Sequence, residues 1–176
     1  MLTTRVDLSF VVNKLEKFSS NPGKVQFEGL VHILSYIRED KALGLKYYSD
    51  MNYAPLSYLS RQAIIKTENQ LVALSYSSWQ YCQYTGRSTG EYIIFYQGGP
   101  IDYGTNVPVP VYQSSAESEY NAACTSGMDL SYFRMLVHEF LNKDTYIVQE
   151  EALLIILDSK SAVCMAKNGK DTKHTR

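Results

Sequence analysis

The sequence predicts an α/β domain, a mixed sheet with flanking helices. Three observations carry this. From residue 70, β-rich runs follow one another at short spacing, Leu71–Ser77 and then Glu91–Tyr96. Next, Ser114 to Leu141 keeps a helical apolar period. Finally, Leu153–Leu157 is an unbroken aliphatic run, suited to a strand buried on both faces, and a short helical stretch follows it.

The elements follow in chain order. Residues 6–18 place Leu8, Val11, Leu15 and Phe18 on one helical stripe, which Ser19-Ser-Asn-Pro-Gly terminates. A second stripe, Phe27, Leu30, Val31, Leu34 and Ile37, runs to the charged Arg38-Glu-Asp-Lys. Two short amphipathic helices bury little by themselves and are expected to pack on something further. Gly44-Leu-Lys-Tyr-Tyr reads as a short strand, and residues 51–69 as linker. Gly98-Gly-Pro marks a hairpin between the second strand and a third around Ile101 to Gln113. Pro108 and Pro110 make the later part of that third strand an edge or irregular. Ser159–Lys167 is the last helix.

With 176 residues, 45% apolar and 20% charged, the chain has enough material for one core. The net charge of −1 gives no global attraction to nucleic acid, so any such binding is local. Cys82, Cys124 and Cys164 are odd in number and widely spaced, which argues against a disulfide framework or a zinc site. They suit a reducing, intracellular compartment, cytoplasmic or nuclear. Neither a signal peptide nor a span for a membrane is expected, because the longest aliphatic run is Ala152–Leu157. Tyrosine is over-used, 15 against one tryptophan, and several lie at strand ends and in loops.

Two acidic segments are the candidate chemistry. In Gln113-Ser-Ser-Ala-Glu-Ser-Glu, Ser114 and Glu117 fit a capping box, a structural role. Glu119 starts the stripe Ala123, Ser126, Leu130, Phe133, Val137, Phe140 and therefore faces the core, where a carboxylate needs a partner. Asp158 directly follows the aliphatic run. It is either the N-cap of the next helix or a ligand. Clustered carboxylates of this kind hold paired metal ions, magnesium above all, in phosphoryl chemistry. Other candidates fail. His138-Glu139 has Asn142 where a zinc protease needs histidine. His32 has no partner in sequence, and Gly98-Gly lacks the strand-to-helix setting of a phosphate loop. The tail from Lys167, four Lys/Arg against one Asp, reads as a solvated terminus.

Three ordered blocks resemble the end of the Pol polyprotein of copia-type retrotransposons. They are Thr85-Gly-Arg-Ser-Thr-Gly-Glu-Tyr-Ile-Ile-Phe, Gln113-Ser-Ser-Ala-Glu-Ser-Glu-Tyr-Asn-Ala, and Asp158-Ser-Lys-Ser-Ala-Val-Cys-Met-Ala-Lys-Asn followed by Thr172-Lys-His-Thr-Arg. Upstream, Arg5-Val-Asp-Leu-Ser-Phe, Phe18-Ser-Ser-Asn-Pro-Gly-Lys and His32-Ile-Leu-Ser-Tyr-Ile-Arg resemble the last helices of the reverse transcriptase.

The resemblance implies a helical reverse-transcriptase fragment over residues 1–50 and an RNase H-like domain over 70–176, C-terminally truncated. In that family the domain cuts the RNA of an RNA–DNA hybrid with carboxylates and magnesium. By position, the surviving carboxylates are Glu119 and Asp158, both catalytic and metal-binding. The first-strand aspartate falls on Tyr76, and the last lies beyond Arg176. A neutral phenol cannot stand in for a carboxylate ligand. The expectation is therefore a polyprotein fragment without catalysis. The alternatives are an active magnesium-dependent RNase H and a non-catalytic nucleic-acid-binding module whose tyrosines stack on bases.

Overall fold

The computed structural model describes residues 5–47, 71–82, 84–97, 99–141 and 153–168. The chain divides into two compact units, Met1–Lys46 and Tyr47–Arg176. In the first, a 3-10 turn over Val6–Leu8 leads into α1 (Ser9–Glu16), and α2 spans Lys24–Glu39. Gln26 Oε1 accepts from the Gly23 N–H at 3.0 Å and so satisfies one of the orphan donors at the start of α2. The face of α2 that turns inward is not the expected one. Ile33 is its buried residue, and a Cβ on Gly29 would meet Leu15 Cδ2 of α1 at 3.4 Å. Gly29 and Ile33 stand one turn apart, so they define the packed face. Phe27, Leu30, Val31 and Leu34 lie on the opposite side and are exposed. Hydropathy alone selected the wider apolar stripe, but α1 packs against the narrower one, where glycine permits close approach. Residues 44–47 form no strand, and the linker over 51–69 lies outside the described residues.

The second unit holds a four-stranded mixed sheet in the order β3-β2-β1-β4. β1 (Val72–Ser78), β2 (Thr89–Tyr96) and β3 (Gly99–Asn106) are antiparallel neighbours, and β4 (Leu154–Ile156) lies parallel to β1. The antiparallel run and the apolar β4 are where the sequence placed them. β3 ends at Asn106, before Pro108, so the later part expected up to Gln113 is irregular, as Pro108 and Pro110 suggested, and β3 is an edge of the sheet. The β2–β3 register slips between Ile94 and Phe95, so that Ile94 faces Asp102 and Phe95 faces Pro100. A proline has no N–H to give the ladder, and a bulge accommodates it. β4 is half-buried rather than enclosed on both faces, because it too is an edge.

α3 (Ser115–Phe140) packs along one sheet face, and α4 (Lys160–Asn168) follows β4. Leu130 is fully buried against Leu71, Ala73 and Ile94, with Phe133 and Val137 beside them. The core-facing stripe of α3 thus holds from Glu119 to Val137, whereas Phe140 at its end is exposed. On the other sheet face a smaller cluster joins Val72 to Phe95, Leu154 and Ile156. Strand alternation on β1 sorts these two faces: Ala73, Ser75 and Ser77 look toward α3, and Val72, Leu74 and Tyr76 look away. No helix among the described residues is long and apolar enough to cross a membrane.

Candidate functional site

The caps of α3 and α4 separate structural carboxylates from the others. Ser114 Oγ accepts from the Glu117 N–H at 3.2 Å, and Glu117 Oε2 accepts from the Gln113 N–H at 2.8 Å. Glu117 therefore caps the helix, reaching one residue further back than the usual box. At α4 the cap is Ser159, whose Oγ accepts from the Ala162 N–H at 3.2 Å. Asp158 is exposed and is not the capping side chain. Its reading as an N-cap is thereby removed.

Glu119 lies two residues after Glu117, about 200° around the helix and on the buried side of α3, only 5% exposed. Its Oε1 accepts from the backbone N–H of Ser77 at 3.0 Å. The sheet explains why that donor is free. β4 pairs with β1 only over Val72–Leu74, so the rest of the β1 edge has no ladder partner there. The Glu119 carboxylate takes the place of the next acceptor. Counting on from Leu74 opposite Ile156 brings Asp158 level with Tyr76, one residue before Ser77. Asp158 is thus brought to the gap at the β1 edge near Glu119, while Tyr76, level with Asp158, turns its side chain to the opposite face of the sheet.

The electrostatics of this gap agree with its geometry. Burial raises the Glu119 carboxyl above its ordinary range, the Ser77 N–H pulls it down, and the charge of Asp158 raises it further. Glu119 Oε2 is buried without a hydrogen-bond partner. Such an oxygen is completed by a proton or by a cation. The Tyr76 hydroxyl is not placed to donate to it. Tyr76 is 48% exposed and belongs to the face away from α3, beside Leu74, Glu91 and Ile93.

Sequence reasoning missed the hydroxyl layer around Glu119. Ser77 Oγ contacts Ser118 Oγ and donates to Thr89 O at 3.3 Å. Ser75, Ser77 and Ser118 are all buried. Ser77 and Ser118 also border a cavity of ≈ 50 Å³, lined further by Asn106, Asn121 and Thr125. The signal was present: serines at 75 and 77 keep the inward alternation of Ala73, a polar pattern at core-facing positions. His138 lies near the far end of α3 from Glu119, and His32 of the first unit is on an exposed helix face.

The chain spans a small part of the curated proteins it matches. It is 26% identical over 187 residues to the retrovirus-related Pol polyprotein from transposon TNT 1-94 of Nicotiana tabacum, covering 99% of this chain and 12% of that protein. It is 25% identical over 138 residues to the corresponding polyprotein from transposon RE1 of Arabidopsis thaliana, covering 77% of this chain and 8% of that one. The chain is thus similar to retrotransposon Pol polyproteins over most of its length. No protein-family model and no solved structure matches it. The relationship spans both units, and the α/β unit is compatible with an RNase H-like fold.

The residues of the gap do not fit the paired magnesium ions that such a domain uses. Among the described residues, no three or more His, Cys, Asp or Glu side chains gather closely enough to hold a metal. Glu119 and Asp158 supply two hard oxygen donors, and the level position on β1 supplies a phenol.

Proposed function

We propose that this chain is a segment of a retrotransposon Pol polyprotein whose α/β unit has an RNase H-like fold and does not cleave RNA. Residues 1–50 are read as reverse-transcriptase helices and residues 70–176 as the nuclease-like domain. The observation that carries the loss of activity is Tyr76, a phenol at the β1 position level with Asp158 and one residue before the Ser77 N–H that anchors Glu119. A site of two carboxylates cannot clamp both the attacking and the leaving oxygen of a phosphodiester. Hydroxyl and amide groups around the gap, Ser75, Ser77 and Ser118, hold no charge to make good the deficit.

The orphan Glu119 Oε2 favours a second reading, an active magnesium-dependent RNase H that draws a further ligand from elsewhere. Calorimetric titration of the purified chain with magnesium chloride separates the two. The first reading expects binding no tighter than about 1 mM, since two carboxylates hold a strongly hydrated ion weakly. Submillimolar binding that Glu119→Gln and Asp158→Asn each abolish would support the second.

A further inference from the structure

The connection between β1 and β2 carries side chains that neither the core nor the carboxylate gap uses. It leaves the sheet just past Ser77, whose N–H anchors Glu119. Trp79, Tyr81 and Tyr84 are exposed on it, at 42%, 37% and 89%. Large rings crowded into so short a surface stretch mark a place of contact. The backbone that bears them is tightly closed. The Cys82 N–H donates to Arg87 O at 3.1 Å and the Gly86 N–H to Cys82 O at 2.8 Å. The Gln80 N–H donates to Ser88 Oγ at 3.2 Å, and Gly86 takes the left-handed φ of +63° that the turn needs. Trp79 is fixed as a side chain too, because its Nε1–H donates to Tyr112 O at 2.9 Å. Rings held in this way lose little freedom when something stacks on them.

The charge around the turn has one sign. No Asp or Glu lies between Glu68 and Glu91, and Arg87 is the sole charged residue of that stretch. Among the described residues, no ion pair and no side-chain hydrogen bond engages the Arg87 guanidinium. The loop leading into α3 touches the turn, since a Cβ on Gly86 would meet Val111 Cγ1 at 3.6 Å. That loop is also uncharged from Tyr103 to Ala116, and Glu117 beyond it is turned back onto the Gln113 N–H. Asp158 belongs to the other flank of β1, beside β4. Exposed ring faces with one unpaired guanidinium suit a nucleotide, whose base stacks and whose phosphate accepts from arginine. A peptide suits them less. Its carbonyls need donors, and the indole N–H is already committed to Tyr112 O.

We propose that the β1–β2 turn is a stacking site for single-stranded nucleic acid, with Trp79 and Tyr84 as the ring platforms and Arg87 as the phosphate contact. Every base has a face to stack, so the site tolerates any sequence. A duplex keeps its bases stacked on one another and cannot use it. A single cation makes the phosphate contribution small, in keeping with the net charge of −1. The site needs no metal and does not depend on the carboxylate gap.

Trp79 is the sole tryptophan of the chain, so its fluorescence reports on the turn directly. The purified chain is titrated with a single-stranded oligothymidylate in low-salt buffer containing EDTA, where neither metal binding nor RNA cleavage can enter. The expected result is saturable quenching of the Trp79 emission, with far less quenching by a blunt DNA duplex. Tyr84→Ala, a substitution at a side chain 89% exposed, should weaken binding roughly fivefold or more. Arg87→Gln should reduce the slope of log affinity against log salt by about 0.7. Absence of saturable quenching overturns the proposal, as does quenching that both variants leave unchanged. Saturable quenching by a proline-rich peptide and not by the oligonucleotide also overturns it, and assigns the turn to a protein partner. If Arg87→Gln does not fold, Tyr84→Ala decides alone.

Discussion

Glu119→Gln is expected to stabilise the chain at pH 7, on the order of 1 kcal/mol in urea unfolding. The glutamine carbonyl can keep the hydrogen bond from the Ser77 N–H, now held by Glu119 Oε1 at 3.0 Å. What is removed is a buried charge with one oxygen unpartnered and Asp158 repelling it. Because the Glu119 carboxyl is raised by burial and by Asp158, its ionisation opposes folding. Its contribution is fully present below the ordinary glutamate value and lost as pH rises through the folded-state value. The gain from glutamine should therefore be larger at pH 7 than at pH 4. A loss of stability at pH 7 would mean that the ionised carboxylate has a partner in solution, and a bound cation is the first candidate.

Leu130→Ala should have the largest effect on the fold, a loss of about 2–5 kcal/mol. Leu130 is fully buried and joins α3 to Leu71, Ala73 and Ile94 of the sheet. Removing it leaves a void against both β1 and β2, and the backbone of a sheet strand cannot collapse to fill it. α3 is held to the sheet by this apolar contact and by the Glu119–Ser77 hydrogen bond. Loss of the apolar anchor should thus also release Glu119. Chemical denaturation measures the stability, and amide hydrogen exchange at Ser77 reports the carboxylate contact. Protection at Ser77 that outlasts the loss of stability would show that Glu119 is seated independently of the core.

Much of the α/β unit was legible because its signals are local. Alternation marks β1, turn residues mark the hairpin, and a long helical period marks α3. Glu119 could be singled out because a carboxylate at the head of an apolar stripe contradicts its surroundings. The inward face of α2 was not legible. Five apolar residues outweigh Gly29 and Ile33 in any hydropathy pattern, yet it is the missing Cβ of Gly29 that admits Leu15. The half-burial of β4 depends on its place at the sheet edge, which no residue of Leu154–Ile156 encodes. The cap of α4 turned on a choice between Asp158 and Ser159, two equally good capping residues, and tertiary position decided it. The Tyr92–Asp102 hydrogen bond joins β2 to β3 and has no signature in sequence.

The central claim is that a phenol at position 76 leaves the carboxylate gap short of a working nuclease site. It is tested most directly by incubating the purified chain with an end-labelled RNA–DNA hybrid and magnesium chloride. The claim predicts no cleavage above that of the magnesium-containing buffer alone. Magnesium-dependent cleavage of the RNA strand that Glu119→Gln removes would contradict it.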